Sequence, residues 1–222
     1  MHRNIVIGPP GTGKTTFLKN KVDAIIKEGN AQPNEIGYFS FTVKAAEEIR
    51  NRVAGENMSE NELKKMYPYF CTLHSLAYKR LRLEPHEIMD ELDYMELSDM
   101  TGRKFVNKMK KGNGMDFSMP TAQSQYQDTI NLAYAKYPHD EDRLPRIFKE
   151  VKLSDYGARN TILQMDKDLK NFKRDRHKLE YVDYFNTFLE TKNPPKLKYL
   201  FIDEAQDLSA HQWMVVDMIQ KV

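Results

Sequence analysis

The stretch Gly8-Pro9-Pro10-Gly11-Thr12-Gly13-Lys14-Thr15-Thr16 decides how this chain is read. It fits the pattern G-x-x-x-x-G-K-[ST], which carries weight only between a strand and a helix. Asn4-Ile5-Val6-Ile7 before it predicts a short buried strand. Leu18, Val22, Ile25 and Ile26 after it share one face of a helix. Glycines let a backbone wrap an anion without Cβ clashes, so that successive N–H groups face phosphate oxygens. The helix N-terminus adds partial positive charge. Lys14 is placed to reach the β- and γ-phosphates of a nucleoside triphosphate, and the Thr15 hydroxyl to ligate Mg²⁺. The alternative is a Gly/Pro-rich turn that happens to contain Lys-Thr.

A second apolar segment complements the first. Leu200-Phe201-Ile202 predicts a strand that ends in Asp203 and Glu204. Asp203 is expected to hold the Mg²⁺ bridging two phosphates, and Glu204 to orient and deprotonate an attacking water. Asp-Glu after an apolar strand is common and weak alone; paired with the loop at 8–16 it becomes specific. Lys14, Asp203 and Glu204 are the catalytic candidates, and Thr15 with Asp203 the metal candidates.

Outward from these motifs, Ile36–Phe41, Tyr69–Cys71 and Tyr199–Ile202 predict further strands between helical patterns, which argues for a parallel sheet. The fold class expected is α/β: a P-loop NTPase (RecA-like) parallel sheet flanked by helices, with a mostly helical inserted subdomain. Residues 1–83 and 191–222 are assigned to the ATP-binding domain and 84–190 to the insertion. The clearest inserted helix is predicted over 155–173, with Ile162, Met165, Leu169 and Phe172 on one face. Gly112-Asn113-Gly114 and Met119-Pro120 mark loops.

Composition bounds the rest. The 222 residues are 40% hydrophobic and 30% charged, which suits an ordinary globular domain with a sizeable core. A net charge of +2 neither demands nor excludes a nucleic-acid partner. The single Cys71 excludes an intrachain disulfide and fits a reducing compartment. No apolar run reaches the roughly 18 residues of a membrane span, and the chain reads as cytoplasmic, without a signal peptide or membrane partner. Within the insertion, Glu84–Asp99 is acidic. Arg103, Lys104, Lys108, Lys110 and Lys111 follow as a basic run, and Lys167, Lys170, Lys173, Arg174, Arg176 and Lys178 form another. These could touch a phosphate backbone or be solvated helix faces.

The motifs together resemble the UvrD/Rep-type superfamily 1 helicases. The loop at 8–16 is similar to their first motif. Phe39-Ser40-Phe41-Thr42-Val43-Lys44-Ala45-Ala46-Glu47-Glu48-Ile49-Arg50-Asn51-Arg52 resembles T-F-T-N-K-A-A-x-E-M-x-x-R. Cys71-Thr72-Leu73-His74-Ser75-Leu76-Ala77 resembles T-F-H-S-L-A, and Asp203-Glu204-Ala205-Gln206-Asp207 resembles D-E-x-Q-D. Asp183-Tyr184-Phe185-Asn186 is a looser match to D-F-x-D. The likeness is specific over 4–83 and 195–216.

The resemblance implies ATP and Mg²⁺ as cofactors, single-stranded DNA as partner, and movement along it driven by hydrolysis. It places Gln206 with the nucleotide-binding set of Gly8, Pro9, Pro10, Gly11, Thr12, Gly13, Lys14, Thr15 and Thr16. It places Phe41, Thr42, Lys44, Thr72, His74 and Ser75 where the family contacts DNA. Hydroxyls and Lys suit phosphates, and Phe or His suits an unstacked base. Each also has a bland reading: Phe41 as a core aromatic, and Thr42, His74 or Ser75 as helix caps. Trp213 reads as packing, and Gln206 as satisfying local polar groups.

Some family features are not found. Val43 stands where Asn is usual, and Cys71 where Gly is usual. The adenine-reading Gln, the G-D-x-x-Q segment and the second motor domain with its arginines lie outside these 222 residues. The chain is therefore expected to be the first part of a longer monomeric helicase that binds ATP but hydrolyses it poorly by itself. The alternatives are a small-molecule phosphotransferase and a non-hydrolysing nucleotide- or DNA-binding module.

Overall fold

The computed structural model describes residues 4–9, 11–54, 58–106 and 122–221. Residues 4–81 and 188–221 among these fall in one compact unit, and 82–187 in another. The first unit holds three parallel strands, β1 (Ile36–Phe39), β2 (Phe70–Cys71) and β3 (Tyr199–Ile202), in the order β2-β1-β3. Tyr38 stands in register with Phe70 on one side and Phe201 on the other. Side chains alternate across a sheet, so these three rings share a face and stack, with centroids 5.8 and 6.4 Å apart.

That face is covered by α1 (Lys14–Lys27) and α2 (Val43–Ala54), whose Val22 and Ile49 bury with Ile36, Tyr38, Tyr67 and Phe70 in one apolar cluster. Val22 and Ile25 fall on the helix face that the sequence spacing predicts. On the opposite face Gly37 allows close packing, since a Cβ there would lie 2.6 Å from the Leu197 side chain. The unit also contains α3 (Glu60–Met66), α4 (Leu73–Leu81) and α10 (Ala210–Gln220). Ser59 and Ser209 open α3 and α10 with reciprocal capping boxes to Glu62 and Gln212.

The strand expected over Asn4–Ile7 does not form. Residues 4–9 take no regular secondary structure, and Ile5 and Ile7 are 85% and 90% exposed. An apolar tetrapeptide has strand propensity, but pairing is a tertiary event that propensity does not supply. Among the described residues β3 is thus an edge strand, each of its side chains only half-buried. Of the other predicted strands, Tyr199–Ile202 forms over the expected residues, while the first closes early at Phe39 and the second opens at Phe70.

The second unit is helical: α5 (Glu91–Thr101), α6 (Ala122–Lys136), α7 (Arg143–Glu150) and α8 (Tyr156–Arg176), with α9 (Asp183–Thr191) running on past its last residue. Ile162, Met165, Leu169 and Phe172 of α8 join Leu97, Ile130, Ile147 and Phe148 in its core. Asp90 caps α5, and Gly102 ends it in a left-handed conformation with φ 65°. Its charges pair with one another. Arg103 meets Asp168 at 2.9 Å, Lys170 meets Asp166 at 2.7 Å and Lys178 meets Asp93 at 2.9 Å. Arg176 pairs with Glu96, and Lys173 with both Glu180 and Asp183. Of the acidic run, Asp93 and Glu96 pair with the second basic run, whose Lys170 and Lys173 pair with acids further along the chain. Lys108, Lys110, Lys111 and the loops at 112–114 and 119–120 lie outside the described residues. No helix among the described residues is long and apolar enough to cross a membrane.

Candidate functional site

The three strands are parallel, so the turns after β1, β2 and β3 open at one sheet edge. The loop before α1 comes to the same edge. Gly11 and Gly13 have φ of 78° and 79°, in the left-handed region that glycine enters without Cβ strain. Gly13 is the residue from which α1 starts, its carbonyl accepting the Phe17 N–H at 2.8 Å. The first amides of α1, those of Lys14, Thr15 and Thr16, therefore have no partner within the helix and present a positive end. Thr12 Oγ1 donates to the Pro9 carbonyl at 2.8 Å, closing the loop from inside. A Cβ at Gly8 would fall 2.6 Å from Thr12 Oγ1, so a larger residue there would displace the Thr12 hydroxyl. Pro10 lies outside the described residues.

Lys14 folds over this loop. Its Nζ donates to the carbonyls of Gly8 and Pro9, at 2.9 and 3.1 Å. The ammonium thus sits at the loop's mouth on two neutral acceptors, with no carboxylate paired to it among the described residues. A phosphate offers it stronger, charge-assisted acceptors than two carbonyls do.

Thr15 and Asp203, 188 residues apart in sequence, meet at this edge, the Thr15 hydroxyl donating to Asp203 Oδ2 at 3.0 Å. Asp203 is buried, and its own N–H continues the sheet ladder to the Phe39 carbonyl at 2.9 Å. Its Oδ1 accepts from the Glu204 N–H at 3.1 Å. Sequence reading missed one further member of the site: the Tyr38 hydroxyl, also donating to Asp203 Oδ2, at 3.1 Å. Burial, followed by the neighbouring Asp203 charge, raises the Tyr38 phenol well above its ordinary range, so it stays a donor. The available signal was a tyrosine inside an otherwise apolar strand, whose hydroxyl needs a partner when buried.

Glu204 adopts φ 52° and ψ 44°, a left-handed conformation that costs a non-glycine residue roughly 1–3 kcal/mol. Its carboxylate accepts from Gln206 Nε2. Gln206 therefore satisfies a local polar group here. Of the four residues expected to converge, Thr15 and Asp203 touch, Lys14 rests on its own loop and Glu204 is held by Gln206.

The donor set suits magnesium. Thr15 and Asp203 supply hard oxygen ligands, and Mg²⁺ takes few protein ligands beside phosphate and water. Among the described residues no group of three or more His, Cys, Asp or Glu could hold a metal ion.

On the other side of β1 lie the residues expected to meet DNA. Phe41 is 57% exposed, so it is no core aromatic, and Lys44, the second residue of α2, is exposed. Thr42 Oγ1 accepts from the Ala45 N–H at 3.2 Å and caps α2. Thr72 is buried, and its Oγ1 accepts from the Ser75 N–H at 3.1 Å while meeting Ser75 Oγ at 2.9 Å. Thr72 is thus the cap of α4, rather than His74 or Ser75. Burial, then the nearby His211, lowers His74 to about 3, so its ring is neutral near physiological pH. Trp213 is 39% exposed on α10, partly packed.

The chain is 23% identical over 98% of its length to the ATP-dependent DNA helicase Rep of Buchnera aphidicola subsp. Schizaphis graminum, covering 33% of that protein. It is 21% identical over 97% of its length to the ATP-dependent DNA helicase PcrA of Leuconostoc citreum, covering 28% of it. A probable DNA helicase II homolog of Mycoplasma capricolum is 27% identical over 51% of the chain. The chain thus spans about a third or less of these relatives' length. The model of one family, the UvrD/REP helicase N-terminal domain, matches residues 1–222. With the phosphate-type loop and the buried aspartate at one edge of its parallel sheet, the chain belongs to that family.

Proposed function

We propose that this chain is the ATP-binding portion of a DNA helicase or translocase, which couples ATP hydrolysis to movement on single-stranded DNA. The observation that carries the reading is the Thr15–Asp203 hydrogen bond, which joins the loop before α1 to the end of β3. In this reading residues 1–83 and 191–222 form a RecA-like P-loop domain, and 84–190 a helical insertion.

The loop amides and Lys14 bind the triphosphate of ATP, and Lys14 exchanges its two carbonyl partners for phosphate oxygens. Thr15 and Asp203 would hold Mg²⁺, which when bound neutralises developing charge on the phosphates. Glu204 accepts the proton of the attacking water once Gln206 releases it. Phe41 and His74 stack on bases of the strand, and Lys44 pairs with its phosphates.

Turnover by these residues alone is expected to be slow. Phosphoryl transfer gains about 10³–10⁵ in rate from an arginine at the transferring phosphate. Of the described arginines in this unit, Arg50 pairs with Glu60, Arg52 with Glu48, and Arg80 with Asn193. A second motor domain would have to supply that cation. The same observation favours a second reading, a nucleotide- and DNA-binding module without turnover.

Two measurements test the proposal. A fluorescent ATP analogue should bind the chain and release on adding ATP. ATPase rate should be low, and single-stranded DNA should raise it. ATP binding with no turnover at any DNA concentration would select the module, and turnover that needs a small-molecule acceptor would select a phosphotransferase.

A further inference from the structure

Tyr38 sits at the middle of the central strand, fully buried, its ring stacked between Phe70 and Phe201. Such a position asks only for an apolar ring, and phenylalanine would fill it. The hydroxyl goes beyond packing, since it reaches Asp203 Oδ2, the same oxygen that accepts from Thr15. With the Glu204 N–H on Oδ1, the Asp203 carboxylate is held by groups from α1, from β1 and from its own turn. Two of these holds are weak constraints. Thr15 belongs to the loop end of a helix, and the Glu204 amide belongs to a turn in left-handed conformation. Tyr38 alone is anchored in the sheet core.

We propose that Tyr38 is a positioning residue for the magnesium side of the nucleotide site, its hydroxyl fixing the orientation in which Asp203 meets Thr15. The inference rests on the nucleotide-binding reading above and adds to it the group that aligns the metal-side carboxylate. Tyr38 touches neither nucleotide nor ion; it acts through Asp203. Partners placed behind a metal-binding carboxylate typically change metal affinity by about 10–100-fold when removed.

The test titrates Mg²⁺ into this chain in the presence of a fluorescent ATP analogue, with a parallel arm in EDTA. Tyr38→Phe, which keeps the ring stack, should raise the Mg²⁺ midpoint about tenfold and leave nucleotide affinity in EDTA unchanged. Phe70→Leu, which weakens the same stack without touching the hydroxyl, should lower the melting temperature and leave the Mg²⁺ midpoint in place. On an Asp203→Asn background, Tyr38→Phe should add no further loss, because the two changes remove one coupled interaction. An unchanged Mg²⁺ midpoint in Tyr38→Phe, an equal loss in EDTA, or an undiminished loss in the Asp203→Asn background would overturn the role of Tyr38. If the unaltered chain shows no Mg²⁺-dependent nucleotide binding, the underlying nucleotide reading fails instead.

Discussion

The two flanks of β1 at its carboxyl end use similar residues in opposite ways. On the β3 flank, Thr15, Tyr38 and Asp203 come from three distant parts of the chain and bond to one another. On the β2 flank, Thr42 and Thr72 direct their hydroxyls to amides three residues ahead, as helix caps. The first arrangement exists only in the folded protein, and in the proposed function it is the part that meets the nucleotide. The second serves local structure, and leaves exposed Phe41 and Lys44 as the groups free to meet a partner. Non-local bonding marks a built site, while local bonding shows hydroxyls that already have work within their own helix.

This contrast can be broken by changing one flank at a time. The largest effect is expected from Lys14→Ala, which removes a charge-assisted contact of up to roughly 3 kcal/mol. ATP-analogue affinity should fall by about a hundredfold, with oligonucleotide affinity in the absence of nucleotide unchanged. Equal losses of both by titration would show that the flanks are not separable. Next comes Phe41→Ala, with a loss of about 1–3 kcal/mol in single-stranded DNA binding from the missing stack and no change in nucleotide affinity. Intact DNA binding in this variant would move the partner away from the β2 flank.

Glu204→Gly should raise stability by about 1 kcal/mol, since glycine enters the left-handed region without strain, while abolishing any DNA-stimulated turnover. A drop in melting temperature would show that the Gln206 contact outweighs the backbone strain. The smallest effect near neutrality is a pH dependence from His74. Its folded-state value, about 3, lies below the ordinary 6.5. The unfolded chain therefore takes up a proton first as pH falls, and stability declines between about pH 6.5 and 3. His74→Gln should flatten that part of the melting-temperature profile; an unaltered slope would assign it to other groups.

Much of this contrast is legible in the residues, and its limits are physical. The loop at 8–16 and the carboxylates after β3 are written as motifs, because phosphate binding needs glycines and a cation in consecutive positions. β1, β2 and β3 are legible as apolar runs between helical patterns. The run at Ile5–Ile7 looks the same and yet stays out of the sheet, since composition does not specify a ladder partner. Tyr38 was hidden because a strand pattern counts it as one more apolar side chain. Its hydroxyl acquires meaning only when β3 is placed alongside. The left-handed turn at Glu204 was equally hidden, as nothing about Glu announces a positive φ. For the charge runs of the helical unit, sequence left two outcomes open. The structure adds ion pairs that no local pattern announces, such as Asp93 with Lys178, 85 residues apart.

One consequence of β3 concerns how the isolated chain behaves in a tube. Among the described residues its outer side has no ladder partner, and Tyr199–Ile202 offer amides, carbonyls and half-covered apolar side chains together. Such a border is a template for any extended segment that meets it. At high concentration a second copy can dock there, so dilute handling and light scattering belong in every binding measurement on this chain.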